Sequence, residues 1–223
     1  MPYIFENNIT ANELFDRVAE ILDAKDVAPA NLNKMIAKGL DIEASYRFNV
    51  EEMFGRGVGD MSLRAMFTHY IENVTDDGVT AIDQAGSNAG STPDWVYRLS
   101  ATWKVEDWTT TFTARGVSDG VISNAYTECT SACPTLAAPY FTINDNHIDG
   151  ATYYDLSVSR AFQIGDTKGE AYVSIKNVFN KDPILTANPA NLGAENTPAY
   201  LQTNRGLYDV LGRVWRFGLR LDF

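Results

Sequence analysis

The chain has 223 residues, a formal net charge of −11, two cysteines and two histidines. Length allows one large domain or two small ones, and the acidic balance argues against a nucleic-acid partner. No stretch reaches the roughly 18 apolar residues of a membrane helix, and Met1 is followed by neither the basic nor the apolar segment of a secretory leader. Taken alone, those absences suggest a soluble cytoplasmic protein, a reading that requires the chain to begin at its natural start.

In chain order, residues 1–39 come first and differ from the rest. "TANELFDRVAEILDAK" places Glu13 three residues after Thr10, a capping box, and Leu14, Phe15, Val18, Ile21 and Leu22 follow at helical spacing. A short helix over 10–25 is expected, packed on a loop; its acidic polar face argues against a membrane-surface anchor.

From residue 40 the period changes to two. Ile42, Ala44, Tyr46 and Phe48 oppose Asp41, Glu43, Ser45 and Arg47. Met61, Leu63, Ala65, Phe67 and Ile71 oppose Ser62, Arg64, Thr68 and Tyr70. Trp95, Tyr97, Leu99, Ala101 and Trp103 oppose Arg98, Ser100, Thr102 and Lys104. Trp108, Phe112 and Ala114 oppose Thr109, Thr111, Thr113 and Arg115. Tyr154, Leu156, Val158 and Phe162 oppose Asp155, Ser157 and Ser159, and Ala171, Val173, Ile175 and Phe179 oppose Glu170, Ser174 and Lys176. The last strand sets Trp215, Phe217, Leu219, Leu221 and Phe223 against Arg216, Gly218, Arg220 and Asp222. Arg160 and Arg213 break the pattern, both at strand ends where a long side chain reaches water.

The links alternate in length. Residues 50–59, 106–107 and 163–169 are short; 73–94, 118–152 and 180–211 are long, polar loops. Antiparallel strands reverse direction each time, so all the long loops fall at one end. Cys129 and Cys133 lie in one of them, "YTECTSACP", and are read as a short-loop disulfide in an oxidising compartment rather than as free thiols or zinc ligands. His69 falls on the apolar face near a rim. His147, between Asp145 and Asp149, is read as part of a solvated loop turn. No P-loop, dinucleotide fingerprint or HExxH is present, so neither enzyme chemistry, a cofactor nor a metal site is expected.

Soluble sandwiches also alternate, and a secreted β-sandwich binding domain is the alternative; a small-barrel outer-membrane enzyme is a third reading. Several features favour a transmembrane barrel. The strands are about nine to eleven residues long, as a tilted membrane strand requires. Aromatics gather at both ends of the apolar face: Trp95, Tyr154, Phe179 and Trp215 at the long-loop rim, and Phe48, Trp103, Trp108, Phe162 and Phe223 at the other. The interior of that face carries almost no charge. Seven such strands do not close in lipid without leaving unpaired backbone groups, so a larger barrel or another chain is implied.

"NLNKMIAKGLDIEASYRF", "YRLSATWKVEDWTTTFTARGVS", "YTECTSACP", "YYDLSVSRAF", "AYVSIKNVFNKDP" and "GRVWRFGLRLDF" together resemble, over residues 31–223, the C-terminal part of TonB-dependent receptor barrels. The resemblance implies an all-β fold: about seven antiparallel strands (40–223) of a larger plugged barrel of about 22 strands. Residues 1–39 would then be the remnant of an extracellular loop. It also implies the outer membrane of a Gram-negative bacterium, and energy-coupled import of a scarce ligand such as a siderophore, cobalamin or oligosaccharide. The partners would be outer-membrane lipid, the barrel-assembly machinery, and the TonB complex, reached through an N-terminal part that this sequence lacks. Trp215, Phe217, Leu219, Leu221 and Phe223 resemble the barrel-assembly signal. Arg47, Arg64, Arg98, Arg115, Arg216 and Arg220, with Asp41, Glu43, Asp155 and Glu170, would line the lumen, mainly as a compensating wall of charge, with ligand choice left to the long loops.

Overall fold

A computed structural model describes residues 34–90, 92–187 and 201–222. The expected helix at 10–25, most of the expected loop remnant 1–39, part of the loop 180–211 and the terminal Phe223 therefore lie outside the described residues. The elements are β1 (Lys34–Asn49), α1 (Val50–Phe54), β2 (Asp60–Asp76), β3 (Ala81–Asp83), β4 (Trp95–Val105) and β5 (Trp108–Val117). They continue with β6 (Gly120–Val121), β7 (Tyr126–Glu128), β8 (Phe141–Ile143), β9 (His147–Ile148) and β10 (Ala151–Ile164). The last are β11 (Thr167–Lys176), β12 (Thr186–Ala187), β13 (Leu201–Gln202) and β14 (Val214–Asp222).

One meander holds the molecule together, in the order β1-β2-β4-β5-β10-β11-β14, with β3 added to β2. Every neighbouring pair in it is antiparallel, and each strand pairs with the next long strand in sequence. The three long loops consequently share one end. Register then turns the period of two into two chemically distinct walls. Tyr46, Leu63, Ala101, Phe112, Leu156, Ile175 and Trp215 form one continuous row across all seven strands. One residue further on, the row facing the other way reads Arg47, Ser62, Thr102, Thr111, Ser157, Ser174 and Arg216. Within it the Thr102 and Thr111 hydroxyls are hydrogen-bonded at 3.0 Å.

The apolar wall is uncovered. Phe112 is 41% exposed, Leu219 63% and Phe217 75%, and Leu156 is half-buried. A sandwich would need a second sheet over these residues. Among the described residues the remaining sheets are the two-stranded pairs β12-β13, β6-β9 and β7-β8, all within the long loops. An apolar face spanning seven strands at this exposure demands an apolar surrounding.

Aromatic contacts mark both rims. Towards the long loops, His69 stacks on its register partner Trp95 with ring centres 4.3 Å apart, and Tyr154 sits between Phe112 at 5.6 Å and Phe179 at 5.3 Å. Towards the short turns, Phe48 meets Phe54 edge-on at 5.9 Å and the Trp103 indole N–H donates to the Val58 carbonyl at 2.9 Å. Arg160, out of place on the apolar side, lays its guanidinium over the Trp108 ring at 5.2 Å.

The strands run beyond the lengths read from sequence in several places, including β2, which continues to Asp76 into the expected loop 73–94, and β10, which starts at Ala151 inside the expected loop 118–152, and in one link the structure forms a helix. The 163–169 link contracts to Gly165-Asp166, because Gly165 takes a left-handed φ of 61° and closes a tight turn. Gly169 then lies under the ring of its register partner Phe162, where a Cβ would sit 2.3 Å from the ring. β1 starts at Lys34, so 34–39 is strand where alternation suggested loop. The pattern fails there because Lys34 and Lys38 fall on the parity of Leu40 and Ile42. A bulge at Ile71 shifts register between Lys38 and Gly39, and Lys38 forms an ion pair with Glu72. The 50–59 link contains α1, whose Asn49 side chain accepts from the Glu51 and Glu52 N–H groups at 3.0 and 3.3 Å.

The two walls predict opposite responses to charge. Lysine at Leu156 should cost about 2–4 kcal/mol of folding stability in phospholipid vesicles, and lysine at the adjacent Ser157 less than about 1 kcal/mol. Urea titration of vesicle-folded protein measures both; equal costs would show that the walls do not face different media.

Candidate functional site: a loop cap over a basic wall

The long loops fold inward over the polar wall. Val117, Ala151 and Tyr153 share strand parity with Arg115, yet they are buried, Tyr153 to 1% exposure. Ile122, Ile148 and Tyr208 from the loops complete that cluster, which is the main hydrophobic core among the described residues. The core therefore lies at the long-loop end, between loop and wall, and the apolar face contributes little to it.

Polar side chains lock the three loops together. Asn88, fully buried in the first, donates from Nδ2 to the Ser118 carbonyl and to the Tyr208 hydroxyl, each at 3.0 Å. Tyr208, in the third, donates to the Asp149 carbonyl in the second at 3.0 Å. The Asn88 and Val121 amides donate to the Val121 and Gly86 carbonyls at 3.0 and 2.9 Å. Asn204 Nδ2 donates to the Asn88 carbonyl at 2.7 Å. Cys129 and Cys133 form a disulfide with Cα atoms 5.6 Å apart, in the loop that carries β7 and β8.

Beneath this cap, Arg115 is a clamp. Nε donates to Asp155 at 2.9 Å, one terminal nitrogen donates to Asp209 at 2.7 Å, and the guanidinium lies 5.2 Å from the Tyr153 ring centre. Asp155 also accepts from the Asn177 amide at 2.9 Å. The clamp thus ties β5, β10 and the segment before β14, all partly shielded from water.

The arginines expected along the lumen occupy one face but not one site. Arg98, Arg115 and Arg216 line a cleft of about 450 Å³ with Asp155, Lys176 and the 205–211 strap, which includes Arg205 and Asp209. Arg64 pairs with Glu43 at 2.8 Å, and with Arg98 it borders a groove of hydroxyls from Ser100, Thr102, Thr111 and Thr113. Arg47 lies towards the short turns beside Asn49, Asp60 and Lys104. Arg220 stands opposite Glu170 in register. Trp215, Phe217, Leu219 and Leu221 share one face of β14, whose other edge is unpaired among the described residues.

His69 Nδ1 lies 3.0 Å from the Asp94 carbonyl, and His147 Nε2 lies 3.2 Å from Asp149. Among the described residues no three His, Cys, Asp or Glu side chains are grouped to hold a metal. Sequence reading missed Asn88, Arg205, Tyr208 and Asp209. All sit in long, polar, Gly/Asn/Pro-rich loops without periodicity, which gave no local signal for these four residues.

A two-faced antiparallel sheet with short turns at one end and a folded loop cap at the other is the wall of an outer-membrane-type barrel. A family model described as TonB dependent receptor-like, beta-barrel, matches residues 6–178, and the chain belongs to that family. The match starts well before residue 31, where the motif resemblance begins, and stops just after β11, short of the terminal strand. Among solved structures, the chain is similar to the unliganded ferric citrate transporter FecA: TM-score 0.47, 13% identity, covering 84% of this chain and 25% of that one. It thus spans about a quarter of that protein's length. No curated protein matches.

Arg115→Ala should leave Asp155 and Asp209 facing each other unpaired, at an expected cost on the order of 2 kcal/mol. Limited trypsin digestion should then cut at Arg205 much faster, while heat-modifiable migration persists; unchanged digestion would show that the clamp does not hold the strap.

Burial raises the Tyr208 hydroxyl above its ordinary value of 10.0, with the Asn88 hydrogen bond opposing the shift. A raised folded value means that the neutral phenol's contribution is complete below about pH 10 and fades as pH rises through the folded value. Protease resistance of the loops should therefore hold to about pH 10 and fall above it, and Tyr208→Phe should shrink that alkaline step.

Proposed function

We propose that the chain builds part of the wall and outer cap of a TonB-dependent outer-membrane receptor that imports a scarce ligand. Siderophores, cobalamin and oligosaccharides are the classes to test. The observation that carries this reading is directional: the described parts of the long loops pack on the long-loop end of the polar wall and leave the apolar wall bare. A pore needs a gated, hydrophilic inside and a lipid-compatible outside, and this arrangement supplies both. Family membership supports the same conclusion.

In this reading the apolar rows contact outer-membrane lipid, and the amphipathic β14 offers its free edge to the barrel-assembly machinery. The remaining strands and the TonB-contacting part come from sequence outside this chain. Among the lumenal arginines, the Arg64–Glu43 and Arg115–Asp155 pairs support a compensating wall, whereas Arg47, Arg98, Arg216 and Arg220 have no ion-pair partner among the described residues.

Fractionation and uptake test the proposal together. The protein should sediment with outer membranes, and labelled-ligand accumulation should require both it and TonB. A soluble monomer, or uptake indifferent to TonB, would overturn the reading. Export also predicts that Cys129 and Cys133 resist thiol labelling until reduced; two freely reactive thiols in the mature protein would contradict passage through an oxidising compartment.

A further inference from the structure

Charge is distributed unevenly in this molecule. The chain carries a formal −11, yet the cleft under the strap presents Arg98, Arg115, Lys176, Arg205 and Arg216 against only Asp155 and Asp209. Both carboxylates are engaged by Arg115. Arg98, Lys176, Arg205 and Arg216 have no ion-pair partner among the described residues.

Nothing in the sheet calls for that surplus. Arg98 stands in register between Met66 and Arg115. Like charges opposite one another on adjacent strands are destabilising. A threonine or serine, as at Thr102 or Ser100 on the same strand face, would fit the hydroxyl-rich wall at no such cost. Arg216 likewise faces only Ser174 in register. The strap contributes from the other side: Arg205 lies between Asn204, anchored to the Asn88 carbonyl, and Gly206, whose amide donates to the Asn204 side chain at 3.0 Å. The clamp at Arg115 fixes the far end of the strap through Asp209. Cations therefore converge from β4, β11, β14 and the strap around one space of about 450 Å³, a volume suited to a small molecule.

We infer that this cleft is an oxyanion-binding site for a small solute carrying several carboxylate or phosphate groups. Guanidinium groups match both oxyanions in paired hydrogen bonds, and Lys176 adds a mobile point charge. Arg98, Lys176, Arg205 and Arg216 are exposed, so their heads are open to a solute, and convergence of four unpaired cations on one cleft raises the local attraction for an anion above that of any one of them. Arg115 acts as a positioning residue: it neutralises the two carboxylates that would repel the ligand and holds the strap that supplies Arg205. The inference names the ligand class of the proposed receptor and rests on that reading for its route of entry, but the binding site itself stands on the cleft alone.

Titration of the full chain, purified in detergent from outer membranes, tests it. The probes are trimesate, inorganic triphosphate and neutral maltotriose, followed by calorimetry at two salt concentrations. At least one of the two anions should bind, more weakly at higher salt, and maltotriose should not compete; their relative affinity assigns the cleft to carboxylates or to phosphates. Arg98→Gln and Arg216→Gln should each weaken binding about tenfold, Arg98→Lys less than Arg98→Gln, and Arg220→Gln, outside the cleft, not at all. Heat-modifiable migration of each variant confirms folding. Absence of binding by both anions, equal binding of maltotriose, or full affinity in folded Arg98→Gln and Arg216→Gln proteins would overturn the inference. Import is scored separately: anion binding without TonB-dependent uptake sinks the receptor reading and keeps this site, and uptake that survives both substitutions does the reverse.

Discussion

Backbone hydrogen bonding in a medium without water is the constraint from which the rest follows. Lipid offers no partner for an N–H or a C=O, so each strand must satisfy its backbone groups on its neighbours. Within the seven-strand meander antiparallel ladders do this from β1 to β14, broken by the bulge at Ile71, and among the described residues the outer edges of β1 and β14 are left for further strands. Those ladders set the register, and register decides which side chains share a row. The row from Tyr46 to Trp215 is apolar at every position, and a one-residue slip of any ladder would bring serine, threonine or arginine into it.

Stability is therefore organised differently from that of a soluble domain. Packing density concentrates where the loops meet the wall, around Val117, Ile148, Tyr153 and Tyr208. The cap is also where polar burial is greatest: Asn88, Ser87, Asn146 and Asn177 are all buried, and each is tied to backbone or to other side chains. Such networks hold one loop arrangement in place. They explain how long segments of low periodicity become a lid rather than a set of independent loops. The Arg115 clamp joins this lid to the sheet, so the cap and the basic cleft beneath it form one mechanical unit.

Legibility in the sequence tracked periodicity. Strands with clean alternation, such as Trp95–Val105 and Val214–Asp222, were readable in place and in face. Where alternation failed, boundaries shifted: Lys34 and Lys38 on the apolar parity hid the start of β1, and the Gly165-Asp166 turn hid how far β10 and β11 extend. The disulfide was legible because two cysteines four residues apart shared one polar loop. The cleft was legible only in part. Arg98, Arg115 and Arg216 could be assigned to the polar face, but nothing local linked them to Arg205 or Asp209, which lie far along the chain in a loop.

By itself, then, the amino-acid order determined the two-faced sheet, because strand parity is a property of consecutive residues and needs no distant contact. It also determined the alternation of short turns with long loops, and the aromatic rims. Tertiary structure alone decided what the loops do and which charges are balanced. Whether an arginine is a clamp, as at Arg115, or an unpaired cation, as at Arg98, depends on carboxylates up to 94 residues away. Parity carries no information about such separations; only folding the cap onto the wall brings those charges together.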